Sequence, residues 1–200
     1  DSRRIPHPLQ HLAALCDAAT IPGPTIIRED GDYGNALLSR LPVLEVRRHD
    51  LSVPGREARG ALEVVLAPLA DVSLRVVATH LGLSSAERRR QFRSLRGLLR
   101  QGGADPSTVL LADINEWWPW GRAVRELRRW MADLPAVRSF PSRLPLLALD
   151  RVGCTHPGVL SRPWAHRSSA ARIASDHLPV VAEADVDELL PPSFLTSSAR

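Results

Sequence analysis

Ser175-Asp176-His177-Leu178-Pro179 sets an acid and an imidazole side by side directly before the apolar run Val180 to Ala182. Adjacent residues of a strand point to opposite faces, so an Asp-His pair inside one would be divided between two sides. At a strand start both can line one cleft, one as an oxygen ligand and the other as a proton carrier. Three further segments follow apolar runs in the same manner: Thr79-His80-Leu81, Ala112-Asp113-Ile114-Asn115 and Leu149-Asp150-Arg151. A rigid sheet delivers side chains at strand ends to a shared place. Taken singly, each has a plain structural reading. His80 could be a structural histidine, Asp113 and Asn115 an Asx turn, and Asp150 a turn cap or the partner of an arginine.

The runs themselves are short and rich in β-branched residues. Ala61 to Leu66, Leu74 to Thr79, Val109 to Ala112 and Val180 to Ala182 read as strands, several of them buried. Ser85 to Gln101 carries Phe92, Leu95, Leu98 and Leu99 at helical spacing before Gly102 and Gly103, which predicts an amphipathic helix. Further helices are expected over Trp120 to Asp133 and Pro8 to Ala19. Strands joined sometimes by helices and sometimes by tight turns predict a mixed α/β fold, a layered sandwich of two sheets with outer helices. The 200 residues, 44% hydrophobic and 24% charged, suit one globular unit. No run is long enough to cross a bilayer. All 26 basic residues are arginine and the formal charge is +4. Arginine suits bidentate phosphate contact, but a chain without any lysine points to coding bias more than to a binding adaptation. Cys16 and Cys154 lack zinc-site spacing and read as buried free thiols.

In order, these segments resemble the signatures of the endonuclease/exonuclease/phosphatase family, whose fold is that of pancreatic deoxyribonuclease. The resemblance runs from about Tyr33 to Ala184. Tyr33-Gly34-Asn35-Ala36-Leu37-Leu38-Ser39-Arg40 is similar to the family's Gly-Asn-Ala-aliphatic-Leu-Ser-Arg strand, Arg59-Gly60-Ala61 to its Arg-led strand entry, and Thr79-His80-Leu81 to its Thr-His-Leu. Asp113-Ile114-Asn115 resembles Gly-Asp-Phe-Asn, with Ala112 and Ile114 standing where the family has Gly and Phe. Ser139-Phe140-Pro141-Ser142 with Asp150 resembles the Thr-Phe-Pro-Ser to Asp element, and Ser175 to Pro179 matches Ser-Asp-His-aliphatic-Pro.

The resemblance implies an α/β four-layer sandwich of two mixed sheets flanked by helices, spanning residues 1–186 with a flexible tail at 187–200. It implies a Mg²⁺-dependent phosphoesterase, with Mn²⁺ as the alternative metal. His177 would act on phosphate or water and be oriented by Asp150. Asp113 would orient the attacking water, Asn115 and His80 would hold phosphate oxygens, Asn35 and Arg59 would line the phosphate end, and Asp176 would help hold the metal, a hard cation that prefers oxygen ligands. The family also has an earlier strand bearing an Asn and another ending in a metal-binding Glu. Neither has a counterpart here, because Asp1-Ser2-Arg3-Arg4 reads like the segment just after that Glu. The fold is therefore expected to be N-terminally incomplete, with Glu29 and Asp32 solvated in a turn and no substitutes for the ligand. A phosphate-binding relative without catalysis is the competing expectation. A serine hydrolase has no Gly-x-Ser-x-Gly elbow to support it.

The expected substrate is a phosphate ester. Nucleic acid is possible, although no interleaved basic and aromatic surface is visible along the chain. Trp117, Trp118 and Trp120 are expected to pack the cleft wall, and Arg88 to Arg90 to form a solvated helical face. His7, His11, His49, His156 and His166 receive no role. No signal peptide is visible, which leaves a cytoplasmic location as the expectation; oligomeric state is left open.

Overall fold

A computed structural model of the chain describes residues 8–29, 31–101 and 107–189. In chain order the elements are α1 (Pro8–Cys16), β1 (Ala19–Ile26), β2 (Tyr33–Ser39), β3 (Val43–Asp50), β4 (Gly60–Leu69), β5 (Val72–His80), α2 (Ser85–Gln101), β6 (Thr108–Asp113), α3 (Arg122–Leu127), β7 (Asp150–Cys154), β8 (Trp164–Ala165), α4 (Ser169–Ala174) and β9 (Val180–Val181). The central sheet has the order β3-β4-β5-β6-β7. β5 and β6 are parallel, with α2 as their crossover, and the other neighbours are antiparallel.

Period-two alternation divides the strands' side chains between two cores. On one face Ala61, Val77, Leu110 and Ala112 meet Phe92, Leu95, Leu98 and Leu99 of α2 and Ala123, Val124 and Leu127 of α3. On the other, Leu62, Val64, Leu66, Leu74, Val76 and Val109 meet Ile21 of β1 and Leu37 of β2. Leu62, Leu95 and Leu110 are among the largest fully buried side chains; each such burial is worth about 1.5–3 kcal/mol. Because both faces are covered, the middle strands are largely apolar on both sides rather than alternating, which is why they are visible in the sequence.

The second layer consists of two separate antiparallel ribbons, β1-β2 and β8-β9, and not one continuous sheet. The β1-β2 ribbon packs on β4 and β5, and β9 lies against β7. Gly34 is required in β2: a Cβ there would sit 2.5 Å from the Gly23 carbonyl oxygen. Between the ribbons a groove of about 460 Å³ is lined by Asn35 and Ala36 of β2, Ala78 and Leu111 of the central sheet, and His177 and Val180.

Several elements differ from expectation. The helix predicted over Trp120 to Asp133 is only Arg122–Leu127, since Trp118 and Gly121 form a turn before it and Arg129 to Met131 close in turns after it. α1 stops at Cys16, three residues before the predicted end, and buries only Ala13, so Cys16 is exposed; Cys154, on β7, is buried as expected. Glu29 and Asp32 are exposed, as expected of the β1-β2 turn. Asp187–Leu189 form a 3-10 turn with Leu189 packed on the second core, while 190–200, like Gly102, Gly103, His7 and the first residues, lie outside the described residues. No helix among the described residues is long and apolar enough to cross a membrane.

Candidate active site

Register alone brings three of the expected side chains together. The parallel β5-β6 pairing sets His80 beside Asp113, and the antiparallel β6-β7 pairing sets Asp113 beside Asp150. Three neighbouring strand ends thus present an imidazole and two carboxylates in a row. His177 arrives from the segment before β9, fixed by Leu178 N–H to the Ser139 carbonyl (2.8 Å) and Ser142 N–H to the Asp176 carbonyl (2.7 Å). Its Nδ1 meets Asp150 Oδ2 at 2.8 Å, and its Nε2 lies 4.0 Å from Asp113 Oδ2. Asp113 therefore stands between two histidines, since His80 Nε2 is 3.4 Å from the same oxygen.

Asn115 reaches this cluster by a turn and not by strand alternation. β6 ends at Asp113, whose carboxylate accepts the Asn115 N–H (3.0 Å), and Asn115 takes a positive φ of 47°. The Asx turn and the functional reading thus describe one feature: the turn swings the Asn115 amide back to donate to the Leu81 carbonyl (2.8 Å), with its Nδ2 3.1 Å from His80 Nε2. Arg59 is buried behind His80, its Nη1 3.3 Å from His80 Nδ1 and 3.0 Å from Glu57. Arg59 and the Asn115 amide both present N–H groups to the His80 ring, so in the neutral form they compete for its one acceptor nitrogen. Asn35 lies on the groove wall, where its amide donates to the Gly60 carbonyl (2.9 Å). Asp176 is exposed at the rim, within 3.4 Å of the Ser175 hydroxyl.

Electrostatics separate the two histidines. Burial pulls His80 below its ordinary value, and Arg59 and His177 add to that pull against Asp113 and Glu57. Burial works the same way on His177 but is outweighed by the Asp150 hydrogen bond and the charges of Asp150, Asp113 and Asp176, so its net shift is upward. Burial raises Asp113, with the nearby Asp150 charge in the same direction, against the Asn115 N–H and both histidines. The site therefore favours the neutral form of His80 and the charged form of His177 more than solvent does.

Asp113, Asp150 and His177 offer ligand atoms within 4.8 Å of one another, a grouping that could hold a metal ion; Asp176 is not in it. Two carboxylates with water suit a hard divalent cation in donor type. Asp150 Oδ2, however, already accepts from His177 and from the Ser139 hydroxyl.

Ser139 and Phe140 are site components that sequence reading gave no role. The Ser139 hydroxyl donates to Asp150, and the Phe140 ring lies 4.9 Å from the His177 ring. Their signal was the Ser-Phe-Pro-Ser match itself. Trp117, Trp118 and Trp120 are mostly exposed, contrary to expectation, because the turn after Asn115 carries them outward. Arg88 is buried rather than solvated: it donates to the Leu83 carbonyl (2.5 Å) and lies 3.5 Å from Glu116, tying the loop after His80 to the loop after Asn115.

No family model matches the sequence. The chain is 30% identical over 169 residues to the uncharacterized protein YbhP of Escherichia coli K12 and, at the same identity, to that of Shigella flexneri; the match covers 80% of this chain and 66% of the relative, so the chain spans just under two thirds of the relative's length. Among solved structures it is similar to the mannosyl-6-phosphatase Bt3783 of Bacteroides thetaiotaomicron (TM-score 0.71, 16% identity, covering 88% of this chain and 80% of that one). It is also similar to an endonuclease/exonuclease/phosphatase protein of Bacteroides vulgatus (0.69, 17%, 88% and 80%) and to the human Nocturnin catalytic domain with bound sulfate (0.66, 16%, 88% and 74%). The chain has the fold of the endonuclease/exonuclease/phosphatase family.

Proposed function

We propose that the chain is a phosphoesterase, hydrolysing a phosphate ester by water attack at phosphorus with His177, Asp150, Asp113, Asn115 and His80 around the phosphate. The observation that supports this best is the row His80, Asp113, Asp150 on three adjacent strand ends, closed by His177 at 2.8 Å from Asp150. Asp150 and the Ser139 hydroxyl hold the His177 ring with Nδ1 turned inward. The cationic ring then offers its Nε2–H to a phosphate oxygen and offsets the charge that develops there. Asp113 orients the water and takes its proton as the P–O bond forms. The ester P–O bond breaks, and the departing oxygen is protonated from solvent. Neutral His80, set between Arg59 and the Asn115 amide, faces a second phosphate oxygen. Arg59, buried behind His80, adds positive charge at this end, and its Nε is buried without an acceptor among the described residues. Asn35 lines the same end.

A divalent cation, Mg²⁺ or Mn²⁺, would be held by Asp113 or Asp150 with water completing its shell, and when bound would add positive charge at the phosphate; Asp176, outside that grouping, would reach it at most through water. The relatives' printed names, a mannosyl-6-phosphatase and an endonuclease/exonuclease/phosphatase protein, support the reaction class. A second reading, phosphate binding without turnover, is favoured by the double use of Asp150 Oδ2, which leaves few free oxygen donors for a metal. Hydrolysis of a chromogenic phosphodiester and a phosphomonoester, with and without Mg²⁺, separates the two. Turnover that requires Mg²⁺ and is lost in His177→Ala is the expected result. Orthophosphate binding with turnover no greater than that of His177→Ala would replace the first reading by the second.

A further inference from the structure

Between α2 and α3 runs a second groove, of about 840 Å³, that the chemistry above does not use. Arg89, Arg93 and Arg96 of α2 and Arg122 at the start of α3 line it, with Trp118 from the segment before α3 and Trp130 from the turn after it. Positions 89, 93, 96 and 100 fall on one helical face, and all four arginines are exposed. The groove's two acids are already engaged, Glu116 with Arg88 at 3.5 Å and Glu126 with Arg129 at 2.9 Å. Arg89, Arg93, Arg96 and Arg122 form no salt bridge among the described residues. Four like charges along one channel repel one another unless a polyanion lies between them.

The aromatic groups specify which polyanion. Trp118 is 60% exposed and stacks on Trp120, which is 65% exposed, with centroids 5.4 Å apart. Arg96 and Arg100 lie over the Trp130 ring at 5.4 and 5.5 Å, the arrangement of guanidinium on an aromatic plane. A flat anionic surface would need the charges but not a channel, whereas a channel that sets arginines beside the exposed, mutually stacked indoles of Trp118 and Trp120 fits a chain carrying both phosphates and unpaired bases. Position along the chain ties this groove to the candidate active site: Glu116, in its wall, directly follows Asn115, and Arg88 joins Glu116 to the loop after His80.

We propose that the α2-α3 groove binds single-stranded nucleic acid, its phosphates on the α2 arginines and its bases on Trp118 and Trp120. The strand continues past Asn115, so that a phosphate enters the site; this last step rests on the phosphoesterase reading, and binding does not. Fluorescence anisotropy of a labelled oligothymidylate of about 16 nucleotides against the full chain tests it. The chain with Arg89→Glu, Arg93→Glu and Arg122→Glu together is expected to lose at least about tenfold in affinity, and the slope of log K against log salt to fall by about 2, roughly 0.7 per lost phosphate contact. Trp118→Ala is expected to weaken binding roughly tenfold, the effect of losing one stacked base. All these side chains are exposed and outside the site, so hydrolysis of the small phosphodiester stays unchanged and reports that the variants fold. Equal affinity for a duplex of the same length, or no response to the arginine reversals, overturns the proposal. So does capture by phosphatidylserine vesicles, through the same arginines, that the oligonucleotide does not compete away. Small-ester turnover without oligonucleotide binding removes the groove proposal alone. Binding without cleavage keeps it and counts against the phosphoesterase reading.

Discussion

His80 and His177 share Asp113 as a neighbour but are shifted in opposite senses, and pairs of titratable groups set apart in this way mark acid and base roles. The separation hangs on Asp150, which supplies His177 with both its hydrogen bond and its nearest negative charge. Asp150→Asn should therefore lower the His177 pKa, read by NMR titration of its ring protons, and reduce kcat by roughly 10²- to 10⁴-fold, the range for a misplaced proton-handling group. A histidine whose folded pKa is raised stabilises the fold fully below its unfolded value of about 6.5 and loses that contribution as pH rises through the folded value. Urea melts should accordingly show Asp150→Asn costing more at about pH 5.5 than at about pH 9, and an equal cost at both would sink the assignment. On the phosphoesterase reading, the raised pKa of Asp113 should move the acid limb of a rate profile upward from that of an ordinary carboxylate, with His177 setting the alkaline limb. These residues were legible because each ends or begins an apolar run. Ser139 was signalled only by the Ser-Phe-Pro-Ser match and received no role, because a hydroxyl eleven positions from Asp150 carries no periodic signal. The Asn115 turn was readable only as one of two alternatives.

At the scale of elements, β4, β5 and β6 could be read directly because both faces are covered and their sequences are nearly all apolar. β1 could not, since Pro22, Gly23 and Pro24 interrupt it; it survives as one strand of a two-stranded ribbon, where missing N–H donors cost little. β3 escaped notice as well, being an edge strand with mostly exposed residues such as Glu45, Arg47 and Arg48. Inside the apolar strands, Glu63 on β4 and Arg75 on β5 are both 3% exposed and paired at 2.7 Å, with Arg75 also donating to the Leu98 carbonyl of α2 and Glu63 taking His49 of β3 at 2.6 Å. This cluster links three strands to the crossover helix, and it gives His49 a structural partner where the sequence suggested none. Removing one member leaves the other charge buried and unpaired. Glu63→Ala should cost about 3–5 kcal/mol in chemical denaturation, and Glu63→Met with Arg75→Met distinctly less, because the pair then disappears together. A single variant costing no more than the double would show that solvent already reaches the pair.

For the molecule as a whole, the sequence predicts two sheets packed face to face, and the second layer is instead two ribbons with a groove between them. The layering was legible from the order of strands, turns and helices, but strand partnership in the second layer was not, because β8 and β9 are two residues long and give no periodicity to count. β2 and β9 face each other across that groove, over a floor that includes the partly buried Ala78 and Leu111. Among the described residues β2 pairs only with β1 and β9 only with β8, so each keeps one free edge. Free edges above an apolar floor are a template for another strand, and proteins usually blunt them with charge. The β2 edge carries exposed Ala36 instead. The chain should therefore bind an apolar dye such as ANS at neutral pH, and its sedimentation coefficient should rise as concentration goes from about 10 to several hundred µM, the range in which exposed edges associate. Ala36→Lys, which sets a charge on the β2 side of the groove, should flatten that rise while the far-UV circular dichroism stays unchanged. A sedimentation coefficient independent of concentration, with no dye emission, would mean that the two ribbons close over the groove in solution and that the second layer is more sheet-like than its strand pairing suggests.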